Sequence, residues 1–116
     1  MENEKTKGEK PAIKGVEFLV DMGTGLVFSK VDINIVKEQD KNARIQPNEM
    51  MNQLTDNIKR RGQLESVPFC AYINGNVEII SGHHRVRAAK TAGLKFIYVL
   101  IDITELTQSK VAAKQI

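Results

Sequence analysis

Residues Ile79 to Lys90 read IISGHHRVRAAK, and this stretch decides how the rest of the chain is assembled. Ile79 and Ile80 are β-branched and favour extended backbone. The Ser81-Gly82 step breaks the strand, and Val86, Ala89 and Ala92 then lie on one helical face before Gly93, a stop signal. A strand therefore runs into the start of a helix. Both histidines of the chain, His83 and His84, fall at that junction together with Arg85 and Arg87.

A helix start leaves its first N–H groups without intrahelical acceptors and carries partial positive charge. Gly82 lets another group come close to the backbone, and Ser81 can cap the helix or donate a hydroxyl hydrogen bond. With His83, His84 and Arg85 added, the turn suits an anion, above all a phosphate. Arg85, nearer the N-terminus, is the preferred phosphate ligand. Arg87 lies roughly 200° further round the helix, so it faces another partner or a carboxylate.

A solvated helix start with two incidental histidines is the plainer alternative. Histidine is disfavoured at the positive helix end unless it is neutral or serves an anion, which favours the anion site. No metal site is expected: neighbouring helical residues diverge by about 100°, and the chain has no His-x-x-x-His spacing. Its single cysteine is a strand away. A Ser-His-Asp triad lacks a nucleophile elbow.

Working outward, Val67 to Ile73 is a predicted strand with Val67, Phe69, Ala71 and Ile73 facing inward. Asn74-Gly75 is a hairpin turn, and Val77 to Ile80 returns as the partner strand. Cys70, in the outgoing strand without a neighbouring base, reads as a small half-buried residue rather than a nucleophile. Lys95 to Ile101 is an apolar strand, expected at the centre of the sheet. Towards the N-terminus, Val16 to Val20 is a strand, Gly23-Thr24-Gly25 a turn, and Leu26 to Val36 an extended run with Val31, Ile33 and Ile35 inward. Lys37 to Arg44 is a polar loop. Pro47 suits a first helical position, with Met50, Met51, Leu54 and Ile58 on one face, and the basic end Lys59-Arg60-Arg61 precedes Gly62.

The chain has 116 residues, 41% hydrophobic, with no long apolar run, so one soluble globular domain without a membrane span is expected. Residues 1–14 are charged and lack the apolar core of a signal peptide; they are a flexible leader, and residues 15–116 are the domain. Cys70 cannot pair internally, which favours a reducing, cytoplasmic setting. Net charge is +3 with a pI near 9.1, only mildly basic. Arg44, Arg60, Arg61, Arg85 and Arg87 can nevertheless meet phosphates of a nucleotide or nucleic acid. With no Trp and few aromatics, a single-strand stacking platform is not expected. From Thr104 a helical pattern runs to Ile116 without a stop signal, so the domain is expected to be cut from a longer protein.

The order of these elements resembles the ParB N-terminal domain superfamily, the ParB/sulfiredoxin fold, from Val31 to about Ile116. Asn42-Ala43-Arg44 is similar to the family's Asn-Pro-Arg or Asn-Ala-Arg element, and Gly62-Gln63-Leu64 closes the following helix as in ParB. Gly82-His83-His84-Arg85-Val86-Arg87-Ala88 stands where ParB has Gly-Glu-Arg-Arg-x-Arg-Ala. The resemblance implies an α+β fold, a small mixed sheet with helices packed on it. In ParB the Gly-Glu-Arg-Arg turn binds the triphosphate of CTP, which implies phosphate contact for Gly82, His84 and Arg85. His83 occupies the family's glutamate position, and Gly62-Gln63-Leu64-Glu65-Ser66 matches the cytosine-binding Gly-x-x-Gln-Pro segment in part. Sulfiredoxins carry an essential cysteine where His83 stands, so their chemistry is excluded.

The leading expectation is a nucleotide- or phosphate-binding domain of a DNA-associated protein of phage, plasmid or mobile-element type. Ser81, Gly82, His83, His84, Arg85, Arg44, Gly62 and Gln63 would form the site. The ligand would be CTP, or ATP or ADP, with Mg2+ as an optional companion. The Asp-Gly-His-His-Arg turn of ADP-dependent free-serine kinases on this fold is similar too. It implies an alternative in which Glu38 is the base and His83 or His84 acts on the transferred phosphoryl group. A third reading is a DNA-binding or nicking module using Lys59, Arg60, Arg61 and Arg87 on phosphates. DNA contact is expected mainly through parts beyond Ile116, with a homodimer as a further option.

Overall fold

The computed structural model describes residues 10–38 and 48–104. The expected leader up to residue 9, Arg44 with its Asn42-Ala43 neighbours, Pro47 and the pattern after Thr104 lie outside the described residues.

The elements are β1 (Val16–Asp21), β2 (Leu26–Asp32), a short 3-10 turn (Ile33–Ile35), β3 (Val36–Lys37), α1 (Asn48–Arg61), β4 (Phe69–Ile73), β5 (Asn76–Ser81), α2 (His83–Ala92) and β6 (Phe96–Asp102). Six strands form one mixed sheet in the order β1-β2-β6-β4-β5-β3. The α+β class is as expected, and β6 is central, antiparallel to β2 and parallel to β4.

Register sorts the side chains by face. Val31 pairs with Ile97, Ser29 with Val99 and Val27 with Ile101. Cys70 meets Ile101 on one side and Ile79 on the other, and Val77 pairs with Val36. These residues form the inner face, and Val86 and Ala89 of α2 close over it in one buried cluster. Burial there stabilises the fold by roughly 25 cal/mol per Å² of apolar surface removed from water.

Four expectations are corrected. The extended run from Leu26 does not continue to Val36. Asp32 accepts a hydrogen bond from the Asn34 N–H at 2.9 Å and caps a 3-10 turn, which ends the strand. Strand β4 begins at Phe69, and its inward residues are Cys70 and Tyr72, not Val67, Phe69, Ala71 and Ile73. A bulge between Phe69 and Cys70 breaks the pairing with β5. Phe69 then sits beside Leu100 and Ala71 beside Asp102, on the opposite face, while Val67 is exposed. Cys70 is thus fully buried rather than half-buried. On α1 the buried stripe is Thr55 and Ile58 with Met51 and Leu54 half-covered, and Met50 is exposed.

The face away from the helices carries an aromatic group. Phe28 and Tyr98 stack with ring centroids 5.7 Å apart, Phe96 meets Tyr98 edge-on, and Lys30 lies 4.2 Å over the Phe96 ring. The Asn74-Gly75 hairpin is as expected, with both residues at positive φ, 50° and 84°. At the N-terminal end, Ile13 packs against the core and Lys10 bridges Asp21 at 3.2 Å. Among the described residues no helix is long and apolar enough to cross a membrane.

Candidate functional site

Strands β3 and β5 are parallel, with Lys37 opposite Glu78, so both deliver their C-terminal ends to the same edge of the sheet. Strand β4 begins at that edge, because Phe69 pairs with Ser81 in the antiparallel β4–β5 ladder. Three segments therefore converge on the start of α2: Glu38 after β3, Gly62–Pro68 before β4, and Ser81-Gly82 at the end of β5.

Gly82 is the N-cap of α2 at φ 100°, a left-handed conformation that side chains rarely adopt. A Cβ at this position would sit 3.0 Å from the Pro68 Cβ and 3.2 Å from its Cα. Ser81, expected as a cap, is instead the last residue of β5, and the N-cap position falls to Gly82, which has no side chain to donate or accept a capping bond. The first intrahelical bond runs from the Val86 N–H to the Gly82 carbonyl at 3.1 Å. No intrahelical carbonyl faces the N–H groups of His83, His84 and Arg85. The helix thus presents the positive end of its dipole to the site.

His83 is half-buried, and its Nε2 is shut off from solvent with no hydrogen-bond partner among the described residues. A buried imidazole nitrogen without a partner costs free energy that a ligand acceptor or donor would recover. Arg85 reaches back to the Gly62–Pro68 segment: its Nη1 donates to Glu65 Oε2 at 3.0 Å. Glu65 also stands 3.9 Å from Arg61 Nε at the end of α1. Arg85 and Arg87 point to different partners, as their angular separation requires. Arg87 forks onto Glu38 with Nε and Nη2 both 2.8–3.1 Å from the carboxylate oxygens. That guanidinium holds the Glu38 carboxyl below its ordinary range, with Lys90 and His83 adding positive field.

Gly62, at φ 81°, closes α1 by donating to the Ile58 carbonyl at 2.8 Å. Gln63 is occupied locally: its Nε2 donates to the Phe96 carbonyl at 3.2 Å and its Oε1 accepts from the Leu64 N–H at 3.1 Å. Lys59, Arg60 and Arg61 are exposed at the end of α1, and Arg60 Nη2 donates to Asn57 Oδ1 at 2.6 Å. The structure thus brings together Glu38, His83, Arg85, Arg87 and the Gly62 segment; Arg44 lies outside the described residues.

Two contacts of the site, Glu65 with Arg85 and Pro68 with Gly82, were not foreseen from the sequence. Glu65 had a usable signal, since it stands four residues after Arg61 and follows Gly62. Pro68, against which Gly82 packs, had none, because the contact spans a whole hairpin. Cys70 lies beneath the site in the core, and burial pushes its thiol up to about 12, so it carries no thiolate there.

The sequence profile described as ParB N-terminal domain matches residues 21–115, most of the chain. No curated protein matches. Among solved structures, the chain is similar to the C-terminally truncated chromosome-partitioning protein ParB from Caulobacter crescentus complexed with CTP-gamma-S. That match has 27% identity and a TM-score of 0.55, over 73% of this chain and 48% of that one. The same partitioning protein complexed to the centromeric parS site matches at 26% identity and a TM-score of 0.57, over 74% of this chain and 45% of that one. The chain therefore spans about half the length of these relatives. Sulfiredoxin from Arabidopsis thaliana, at 19% identity and a TM-score of 0.55 over 78% of this chain and 97% of that one, shares the fold.

Proposed function

The chain belongs to the ParB N-terminal domain family, and from that premise we propose that it binds a nucleotide through its phosphates at the start of α2, as part of a DNA-associated protein. The observation that carries this reading is the α2 start at the left-handed Gly82, the positive end of the helix dipole, with His83 Nε2 beside it buried and without a hydrogen-bond partner among the described residues. The relative complexed with CTP-gamma-S makes CTP the first nucleotide to test.

In this reading the backbone N–H groups after Gly82 cradle phosphate oxygens, His83 Nε2 and His84 add hydrogen bonds, and Arg85 supplies the charge. Glu65 holds Arg85 at the mouth of the site until phosphate competes for it. The Gly62 segment borders the same site. The described residues hold no group of three or more His, Cys, Asp or Glu that could cage a metal. A Mg2+ ion would therefore be carried largely by the phosphates of the nucleotide. The engagement of Glu38 with Arg87 favours a binding role over that of a base, since a carboxylate held below its ordinary range is a weak proton acceptor.

DNA association belongs to the same proposal, supported by the relative complexed to parS and by the exposed Lys59, Arg60 and Arg61. The test is calorimetric titration of the protein with CTP, ATP, ADP and GTP. Saturable binding of at least one, lost in Arg85→Ala, is the expected result. If none of the four binds, the reading is wrong.

A further inference from the structure

Glu38 poses an electrostatic problem for any anion at this helix start. It directly follows β3, whose end runs alongside β5 towards α2, and His83 in the first turn of α2 contributes to the field at its carboxylate. A bare negative charge there would repel a polyphosphate. Arg87 removes the problem. It sits one turn after His83, on the side of α2 that faces Glu38, and its planar fork meets the carboxylate through two nitrogens, with Nη2 2.8 Å from Oε1. The Glu38 side chain is 22% exposed and that of Arg87 34%, so the pair is only partly screened by solvent.

We propose that Arg87 is a positioning residue of the anion site: by clamping and neutralising Glu38, it allows a polyphosphate to bind at the start of α2. The pair also ties β3 to α2. Strand β3 has only two residues and lies at the edge of the sheet, so the ion pair helps to fix where the chain leaves the sheet. This inference rests on the nucleotide-binding reading of the same site, but it assigns Arg87 a partner other than the ligand.

The experiment is titration of wild type, Arg87→Ala, Glu38→Gln and the double variant with CTP, ATP, ADP and GTP at low and high salt. Loss of Arg87 alone weakens binding by about tenfold at low salt and by less at high salt, as expected for an unmasked neighbouring charge. Removing the carboxylate as well restores most of that loss, which a merely structural role for Arg87 would not allow. Glu38→Gln alone binds at least as tightly as wild type, because the Arg87 charge is then left unopposed. Should Arg87→Ala fail to fold, Arg87→Lys replaces it: a retained charge without the fork keeps most of the binding, and its loss assigns Arg87 to packing and overturns the proposal. If wild type binds and Arg87→Ala binds equally well, or the double variant is no better than Arg87→Ala, the positioning role is overturned while nucleotide binding stands. A wild type that binds none of the four overturns the nucleotide reading and this one with it.

Discussion

Arg85 and Glu65, 20 residues apart in sequence, meet at 3.0 Å and join the first turn of α2 to the segment between α1 and β4. Both side chains are over a third exposed, 35% and 40%, so the pair adds about 0–1 kcal/mol to stability. Its consequence is competitive. A phosphate that recruits Arg85 must draw it from Glu65, and Glu65→Gln removes that competitor. Nucleotide binding in Glu65→Gln is expected to tighten by roughly threefold to tenfold with little change in melting temperature. Arg85→Ala is expected to weaken it by more than about tenfold. Calorimetric titration of both variants checks this, and weaker binding by Glu65→Gln would show that the carboxylate itself helps the ligand.

Gly82 is constrained twice, by its φ of 100° and by Pro68 only 3.0 Å from where a Cβ would stand. Gly82→Ala is therefore expected to cost about 1–3 kcal/mol. Relief requires β4 to shift at its first residues or the α2 start to turn, and either displaces the N–H groups offered to the ligand. The expected result is a lower melting temperature together with lost nucleotide binding. Gly75→Ala, also at positive φ but with open space around it, is the comparison: it should lose stability and keep binding.

The strand-to-helix turn at Ser81-Gly82, the hairpin at Asn74-Gly75 and the central strand after Lys95 were legible because each is written in local residue types. The face assignment of β4 was not. Val67, Phe69, Ala71 and Ile73 alternate convincingly, yet the bulge at Phe69/Cys70 and the pairing of Cys70 with Ile79 and Ile101 decide which residues face inward. Alternation fixes a period and leaves the side open. The site was legible in the same measure. Crowding of His83, His84, Arg85 and Arg87 marked the helix start, but Glu38 and Glu65 became partners only through the parallel β3–β5 pairing and the return of the chain to β4.

Burial of Cys70 has a direct chemical consequence. Its thiol, pushed up to about 12 by desolvation, is fully covered between Ile79 and Ile101. At pH 8 the folded protein should not react with a thiol-specific disulfide reagent, and one equivalent should react once denaturant is added. Cys70→Ala is expected to cost about 1–2 kcal/mol through lost packing, read from urea denaturation. Fast reaction in the native state would place Cys70 nearer the surface than its register allows.

The Glu38–Arg87 pair makes stability depend on pH in a defined direction. Arg87, first among the causes, holds the Glu38 carboxyl below its ordinary value in the folded protein, while the unfolded chain returns it to that value. A depressed carboxyl stabilises the fold fully at pH values above the unfolded value, and this contribution falls away as pH drops through the folded one. Both groups are partly exposed, so the contribution at neutral pH is about 1 kcal/mol. Arg87→Ala should therefore be less stable than wild type at pH 7, with the gap closing as the pH falls below the ordinary carboxylate range. Urea denaturation of both proteins across that range measures the gap, and carbon NMR of the Glu38 carboxyl should show its titration moving up in the variant. A gap of constant size at every pH would mean that Arg87 stabilises the fold by packing its side chain rather than by holding the charge of Glu38.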